Sequence, residues 1–190
     1  MATQLKHLQT PEEYLAIERK AEYKSEFLQG EIFAMTGASI RHNTISGNVL
    51  SELKQRLRKT DCNAFGSDMR VGVPDVGLYT YPDVVAVCGK PVLQDEQMDT
   101  LLNPVLLLEV LSKSTATYDK TIKFGYYRTI QSLKEYVVVS QDAYHITQHV
   151  KQTDGRWLLT DIKGADGRME LSSVECALTL AEIYERVEMP

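Results

Sequence analysis

One carboxylate interrupts a strongly apolar stretch of the chain. Glu109 lies in the middle of VLLLEVL, residues 105 to 111, where every neighbour has an aliphatic side chain. Burying an ionised carboxylate is costly unless it pairs with a cation or binds a metal. A second acid, Asp83, stands at the start of another apolar run, Val84 to Val87. Acids on two buried strands predict a metal site where those strands meet.

The residue types at these positions suit Mg²⁺ or Mn²⁺. These cations prefer oxygen ligands, and Mg²⁺ keeps several waters, so two carboxylates and a backbone carbonyl suffice to bind it. Asp83 and Glu109 can supply the carboxylates if their strands are neighbours, and the carbonyl of Val110 can supply the third protein ligand. A bound divalent cation polarises a phosphate and generates hydroxide near neutral pH. The pattern therefore favours metal-dependent hydrolysis of phosphodiester bonds.

Alternating helices and strands must position these acids. Apolar runs predict strands over residues 62–73, 78–88, 105–111 and 135–140. A turn at Asp75-Val76-Gly77 would let the first two of these strands pair. Residues 118–130 predict a helix, with Ile122, Tyr126 and Tyr127 on its apolar face. We expect an α/β (α+β) domain, in which helices flank a mixed central sheet.

The remaining segments predict elements around this sheet. A capping box at Thr10 to Glu13 begins a short helix, and residues 26–35 predict a hairpin that turns at Gly30. The apolar residues of 40–58 recur at helical spacing, which predicts a helix whose other face is basic, with Lys54, Arg56, Arg58 and Lys59.

The C-terminal third predicts a second hairpin and a closing helix. Residues 143–151 and 156–163 predict the two hairpin strands, and residues 179–187 predict the helix. Because 190 residues suit one well-cored unit and no linker or repeat divides them, we expect residues 1–190 to form a single domain.

Composition describes an ordinary globular protein. No apolar run approaches the roughly 18 residues of a membrane-spanning helix, and the first residues lack the apolar core of a signal peptide. We therefore expect a cytoplasmic protein that contacts no membrane. Cys62, Cys88 and Cys176 are widely spaced, so we expect them to be reduced and to bind no zinc. The net charge of −5 argues against a protein that coats nucleic acid over a broad surface.

The order of the motifs resembles the Uma-two family of restriction-endonuclease-like proteins, in the PD-(D/E)XK nuclease superfamily. The resemblance rests on Pro82-Asp83, on EVLSKST from Glu109 to Thr115 and on YDKTIK from Tyr118 to Lys123, and it extends over nearly the whole chain. It implies a restriction-endonuclease-like fold and a Mg²⁺-dependent endonuclease. The superfamily places a lysine two residues after the second acid, but this chain has Leu111 there.

The resemblance implies that the lysine has moved to the following helix, at Lys123. Lys113 and Lys120 remain competitors for that role, and a site without a lysine is the remaining alternative. Two further residues are candidates for the site. Glu31 follows the turn at Gly30 and is either a third acid or an exposed hairpin residue. His42 is either a site residue or a cap at the start of a helix.

Two functions follow from these residues. The first is a metal-dependent nuclease acting on DNA, with Asp83 and Glu109 as ligands and Lys123 assisting. The second is a catalytically silent binding or assembly module, in which Glu109 and Lys123 form a structural ion pair. We also expect a homodimer, because Tyr144, Ile146 and Trp157 give the late hairpin more apolar surface than it can bury.

Overall fold

Two mixed sheets carry most of the chain, and helices cover them. The computed structural model describes residues 8–112 and 116–189, without the side chains of Ala116 and Lys120. In chain order the elements are α1 (Pro11–Glu18), β1 (Ser25–Leu28), β2 (Glu31–Ala34), α2 (Ile40–Arg56), β3 (Cys62–Gly66), β4 (Arg70–Val73), β5 (Leu78–Thr80), β6 (Val84–Cys88), β7 (Thr100–Leu101), β8 (Leu106–Leu111), α3 (Ala116–Tyr118), a π turn (Asp119–Lys123), α4 (Phe124–Tyr127), β9 (Glu135–Ser140), β10 (His145–Lys151), β11 (Trp157–Lys163), β12 (Arg168–Leu171), β13 (Cys176–Thr179) and α5 (Leu180–Ile183).

The larger sheet has the order β11-β10-β9-β8-β6-β3, and the smaller has the order β2-β1-β5-β4-β7. Strand β8 pairs antiparallel with β6 and parallel with β9. The chain passes from β8 to β9 through α3, the π turn and α4, as a parallel connection requires. This arrangement confirms the expected mixed sheet flanked by helices.

Two predicted strands are each divided between the two sheets. The prediction of one strand over residues 62–73 is wrong, because a turn between Gly66 and Met69 separates β3 from β4. The prediction over residues 78–88 is wrong in the same way, since the segment Tyr81 to Asp83 separates β5 from β6. The halves still pair as predicted, β4 with β5 and β3 with β6. Asp83 therefore lies at the seam where the chain leaves one sheet for the other.

The central strands are buried on both faces, as their continuous apolar runs predict. One core, with Leu106, Leu108 and Val110 from β8, packs under α2 and α5. The other core takes Leu107 and Leu111 on the opposite face of the same strand and includes Tyr127 of α4. Since alternate residues of a strand share a face, Glu109 shares the face of this second core.

Helix α2 and the helix after β8 differ in how well they follow the prediction. Ile45, Val49 and Leu53 of α2 are fully buried, as predicted. The second helix contains a π turn, in which the chain advances by about one residue more per turn than in an α-helix. Ile122, predicted on the apolar face, is 52% exposed, whereas Lys123 is 5% exposed. The π turn thus exchanges an apolar residue for a charged one on the buried face.

The expectation of three reduced cysteines is wrong for two of them. Cys62 and Cys88 lie directly opposite each other on β3 and β6 and form a disulfide, while Cys176 is free. Their sequence separation of 26 hides this pairing in the sequence, because the pairing depends on the register of the two strands. As disulfide sulfurs, they are not available to bind zinc as thiolates.

The late hairpin and the C-terminal end also depart from the sequence prediction. Ile146 is fully buried, and Tyr144 and Trp157 pack against the two cores, so these residues do not form the exposed surface expected for a dimer. The apolar residues that β11 does expose are Leu158 and Leu159. The pair β12–β13 was not predicted, and the closing helix is limited to α5. Within the described residues no helix combines the length and apolar character needed to cross a membrane.

Candidate active site

Asp83 is fixed at the end of the seam between the sheets. Its Oδ2 atom accepts a hydrogen bond from the backbone N–H of Val110 at 2.7 Å and lies 3.2 Å from Nε2 of His42. The antiparallel register, with Val84 opposite Leu108, places Asp83 beside Glu109 and Val110. The two acidic strands are therefore neighbours, as the metal-site prediction requires.

Glu109 is held by a cation and a phenol. Its Oε1 atom lies 3.0 Å from Nζ of Lys123 and accepts a hydrogen bond from the Tyr127 hydroxyl at 2.9 Å. Burial raises the pKa of Glu109, although the charge of Lys123 acts in the opposite direction. Burial also raises the pKa of Tyr127, so this phenol stays neutral and its O–H donates a hydrogen bond to the carboxylate.

Lys123 is the centre of a cluster of carboxylates. Besides Glu109, its Nζ atom lies 3.1 Å from Oε1 of Glu26 and 3.9 Å from Oδ1 of Asp119. Burial alone would lower the pKa of Lys123, but the three carboxylates outweigh it and raise the pKa well above the usual value. Lys123 is therefore a buried ammonium at neutral pH.

The π turn presents Lys123 to this cluster. Asp119, Lys123 and Tyr127 follow each other at intervals of four residues and form one buried polar stripe. The hydroxyl of Tyr136, on β9, donates a hydrogen bond to the carbonyl of Asp119 at 2.9 Å and anchors the turn to the sheet. π turns of this kind occur frequently at functional sites.

Glu26 joins the site although the sequence analysis did not select it. It accepts a hydrogen bond from the Thr80 hydroxyl in addition to its ion pair with Lys123. The available signal is weak: in β1 the alternate residues Ser25 and Phe27 are buried, which leaves Glu26 on the other face. That alternation is readable in the sequence, but nothing there indicates what the other face meets.

Of the remaining candidate residues, His42 lies at the site and Glu31 does not. His42 lies in the first turn of α2 and contacts Asp83, where hydrogen bonding to Asp83 and Val110 outweighs burial and raises its pKa. Glu31 lies opposite Leu28 at the turn of the β1–β2 hairpin and does not line the cleft that holds the other acids. Lys113 lies outside the described residues, as does the side chain of Lys120.

These side chains line a cleft of about 670 Å³. Asp83, Glu109, Lys123 and Glu26 contribute to its wall, together with His42 and the backbone of Val110. Its volume is in the range usual for ligand-binding clefts.

The donor set fits a hard divalent cation. Two carboxylates and the Val110 carbonyl are oxygen donors, and the buried Nδ1 atom of His42 has no hydrogen-bond partner. Among the described residues, the one group of three acidic, histidine or cysteine ligand atoms within 4.8 Å is Asp61, Cys62 and Cys88, which contains the disulfide. A cation in the cleft would thus use a backbone carbonyl and waters besides Asp83 and Glu109, as Mg²⁺ sites commonly do.

Comparison with known proteins finds relatives in sequence and solved structures of similar fold. "Uncharacterized protein sll1609" of Synechocystis sp. (strain ATCC 27184 / PCC 6803 / Kazusa) is 40% identical over 163 residues, which are 86% of this chain and 92% of the relative. "Uncharacterized protein slr1290" of the same organism is 34% identical over 175 residues, 92% of this chain and 90% of the relative. A crystal structure described as "a putative nuclease belonging to DUF820" from Anabaena variabilis ATCC 29413 matches with a TM-score of 0.74.

The structural match covers 93% of this chain and 97% of the other at 16% identity, so it establishes a common fold. The model of the family Uma2, described as "Putative restriction endonuclease", matches residues 11–181 and therefore includes every side chain of the cleft discussed above. By this match the chain belongs to the Uma2 family.

Proposed function

We propose that this protein is a Mg²⁺- or Mn²⁺-dependent endonuclease that hydrolyses phosphodiester bonds in DNA. The observation that carries the proposal is the meeting of Asp83, Glu109 and Lys123 in one cleft, with Nζ of Lys123 3.0 Å from Glu109. These residues come from the start of β6, the middle of β8 and the π turn. Membership of the Uma2 family supports the same chemistry.

Asp83, Glu109 and the Val110 carbonyl would hold the cation. When bound, it would polarise the scissile phosphate and lower the pKa of a water molecule. The two acidic ligands are preorganised. The Val110 N–H and His42 hold Asp83 in place. Tyr127 and Lys123 hold Glu109 in place. Fixed ligands favour catalysis because they need little reorganisation during the reaction.

Lys123 would act on the reacting phosphate. Its ammonium is already desolvated and held by Glu26 and Glu109. In this low-dielectric position it can donate a hydrogen bond to the attacking water or to a phosphate oxygen as negative charge develops. Glu26 pairs with the ammonium at 3.1 Å and so acts as a positioning residue.

Two further expectations belong to this proposal. The basic residues at the C-terminal end of α2, Lys54, Arg58 and Lys59, are exposed and would contact phosphates beyond the cleft. The active form would be a homodimer, and the exposed Leu158 and Leu159 of the edge strand β11 are the apolar residues that we assign to its interface. Light scattering of the wild type and of Leu158→Asp tests this, since a monomeric wild type would contradict it.

The activity test compares wild type with the isosteric variants Asp83→Asn and Glu109→Gln. We expect nicking of supercoiled plasmid in Mg²⁺ or Mn²⁺, no nicking in EDTA, and at least a 100-fold loss in each variant because each removes a charged ligand. Binding of Mn²⁺, measured by titration calorimetry, should weaken in both. Asp154→Asn is a matched control, because Asp154 lies in the β10–β11 turn and pairs with Arg156.

The outcome also separates the silent module from the nuclease. A wild-type protein that binds neither Mn²⁺ nor Mg²⁺ and cleaves neither DNA nor RNA would be a silent module. Cleavage of RNA but not DNA would retain the chemistry and reject the DNA substrate. Normal cleavage by Glu109→Gln would falsify the assignment of this site.

A further inference from the structure

An exposed aromatic ring stands beside the buried acids. Phe33 of β2 lies directly opposite Glu26 of β1 in the antiparallel register. Side chains of directly opposed residues share a face, with Cβ atoms about 4.5–5.5 Å apart. Glu26 reaches Lys123 in the cleft, so Phe33 faces the same cleft, and it is 49% exposed. An aromatic ring half open to solvent beside a set of carboxylates is not explained by packing.

A second exposed ring lines the same cleft. Tyr23, which precedes β1, is 78% exposed. The reacting groups lie deeper, because the side chains of Asp83, Glu109 and Lys123 are 15%, 7% and 6% exposed. A substrate whose phosphate reaches the acids therefore enters a cleft whose wall includes both rings.

The depth of the site restricts the form of nucleic acid that fits. The acids lie inside a cleft of about 670 Å³ whose wall carries two exposed rings, so a strand that enters the cleft can bring its bases against those rings. In a duplex each base is stacked on both faces, so an aromatic side chain can stack only on a base that is splayed out or unpaired. Exposed rings beside recessed acids thus fit a single strand better than paired DNA.

We propose that Phe33 stacks on a base next to the scissile phosphate and that the enzyme acts on unpaired DNA, either single-stranded or locally opened. This inference rests on the proposed nuclease function and adds the form of its substrate. The ring of Phe33 binds the base while Lys123 and the acids act on the phosphate. Tyr23 supplies a second stacking surface at the rim.

Cleavage of labelled oligonucleotides tests the inference. The substrates are a single strand, a blunt duplex of the same sequence and a duplex with a single-stranded flap, in Mg²⁺ or Mn²⁺. We expect wild type to cut the single strand and the flap at least tenfold faster than the duplex. Phe33→Ala should cut the single strand about tenfold more slowly, since a base–aromatic stack contributes roughly that much or more, and Phe33→Trp should restore the rate.

An abasic residue placed next to the cut identifies the contact. The lost base should slow wild type about as much as Phe33→Ala slows cleavage of the intact strand, and it should have little further effect on that variant. Val92→Ala is the matched control, because Val92 is 51% exposed, close to the 49% of Phe33, and does not line the cleft. Thermal unfolding followed by circular dichroism checks that Phe33→Ala stays folded.

Binding and light scattering keep this inference separate from the proposed function. Anisotropy of a labelled single strand, measured in Ca²⁺, should show weaker binding by Phe33→Ala even if no substrate is cut. Absence of cleavage in every metal would reject the nuclease, whereas unchanged binding by Phe33→Ala would reject the stacking. Preference for the duplex, or a changed oligomeric state of Phe33→Ala with unchanged oligonucleotide binding, would also overturn it.

Discussion

Replacing Lys123 with methionine tests whether its charge holds the acidic cluster together. The ammonium is 3.0 Å from Glu109, 3.1 Å from Glu26 and 3.9 Å from Asp119, and its side chain is 6% exposed. Methionine has a similar length but no charge, so Lys123→Met leaves three neighbouring carboxylates without their shared cation.

The expected loss follows from this burial. Removing one partner of a buried ion pair costs about 3–5 kcal/mol, because the remaining charge stays desolvated. For a chain of this size 1 kcal/mol shifts the unfolding midpoint by roughly 2–4 °C, so the midpoint should fall by roughly 6–20 °C in EDTA. Divalent cations should restore part of this loss by mass action, and they should stabilise the variant more than wild type.

Differential scanning calorimetry with and without Mn²⁺ measures these shifts, and plasmid nicking measures the rate. We expect the rate to fall by about 100-fold, a usual effect of losing a preorganised electrostatic group. Lys134→Met is the control, because Lys134 is exposed. A variant with the wild-type midpoint and the wild-type rate would refute the reasoning about Lys123.

Three further predictions concern stability and binding. Reduction of the Cys62–Cys88 disulfide, or Cys88→Ser, should lower the free energy of unfolding measured by urea titration. The expected loss is about 3.5 kcal/mol, because that is the chain-entropy contribution of a disulfide with a sequence separation of 26. An unchanged urea midpoint would contradict this. Arg19 lowers the pKa of Asp99 through a hydrogen bond. Arg19→Gln should therefore lower the midpoint of thermal unfolding by about 2–4 °C at pH 7. The difference in midpoint between wild type and variant should shrink as the pH falls below about 4, because Asp99 then becomes protonated. Oligonucleotide affinity should fall as the salt concentration rises. The logarithm of the binding constant should fall with the logarithm of the salt concentration by about 0.7 per phosphate contact for a single strand, and a triple alanine variant of Lys54, Arg58 and Lys59 should have a shallower slope. Binding that does not depend on salt would reject phosphate contacts.

The sequence predicted a residue's burial correctly where that burial follows from the pattern of its own helix or strand. The apolar run around Glu109 indicated a buried strand, and the spacing of Ile45, Val49 and Leu53 indicated the buried face of α2. These features depend on periodicity, which the sequence displays directly.

The sequence was insufficient where position depends on contacts between distant elements. Glu26 meets Lys123 across 97 residues of chain, and the alternation of β1 cannot indicate that meeting. The π turn changes which face of its helix is buried, so Ile122 was assigned to the wrong side. Glu31 was selected for its turn, although the register of the hairpin places it opposite Leu28.

The π turn makes the active site sensitive to the number of residues before Lys123. Such a turn is an α-helix that carries one additional residue, and each residue of an α-helix rotates the chain by about 100°. If residues 119–123 wound as a regular α-helix, Lys123 and Tyr127 would therefore turn away from the face that holds Asp119 and its anchor on Tyr136. A relative with one residue fewer between Asp119 and Lys123 would present its lysine on the same face from an uninterrupted α-helix. In this family the winding of the segment, together with the residue count, therefore decides which lysine corresponds to Lys123.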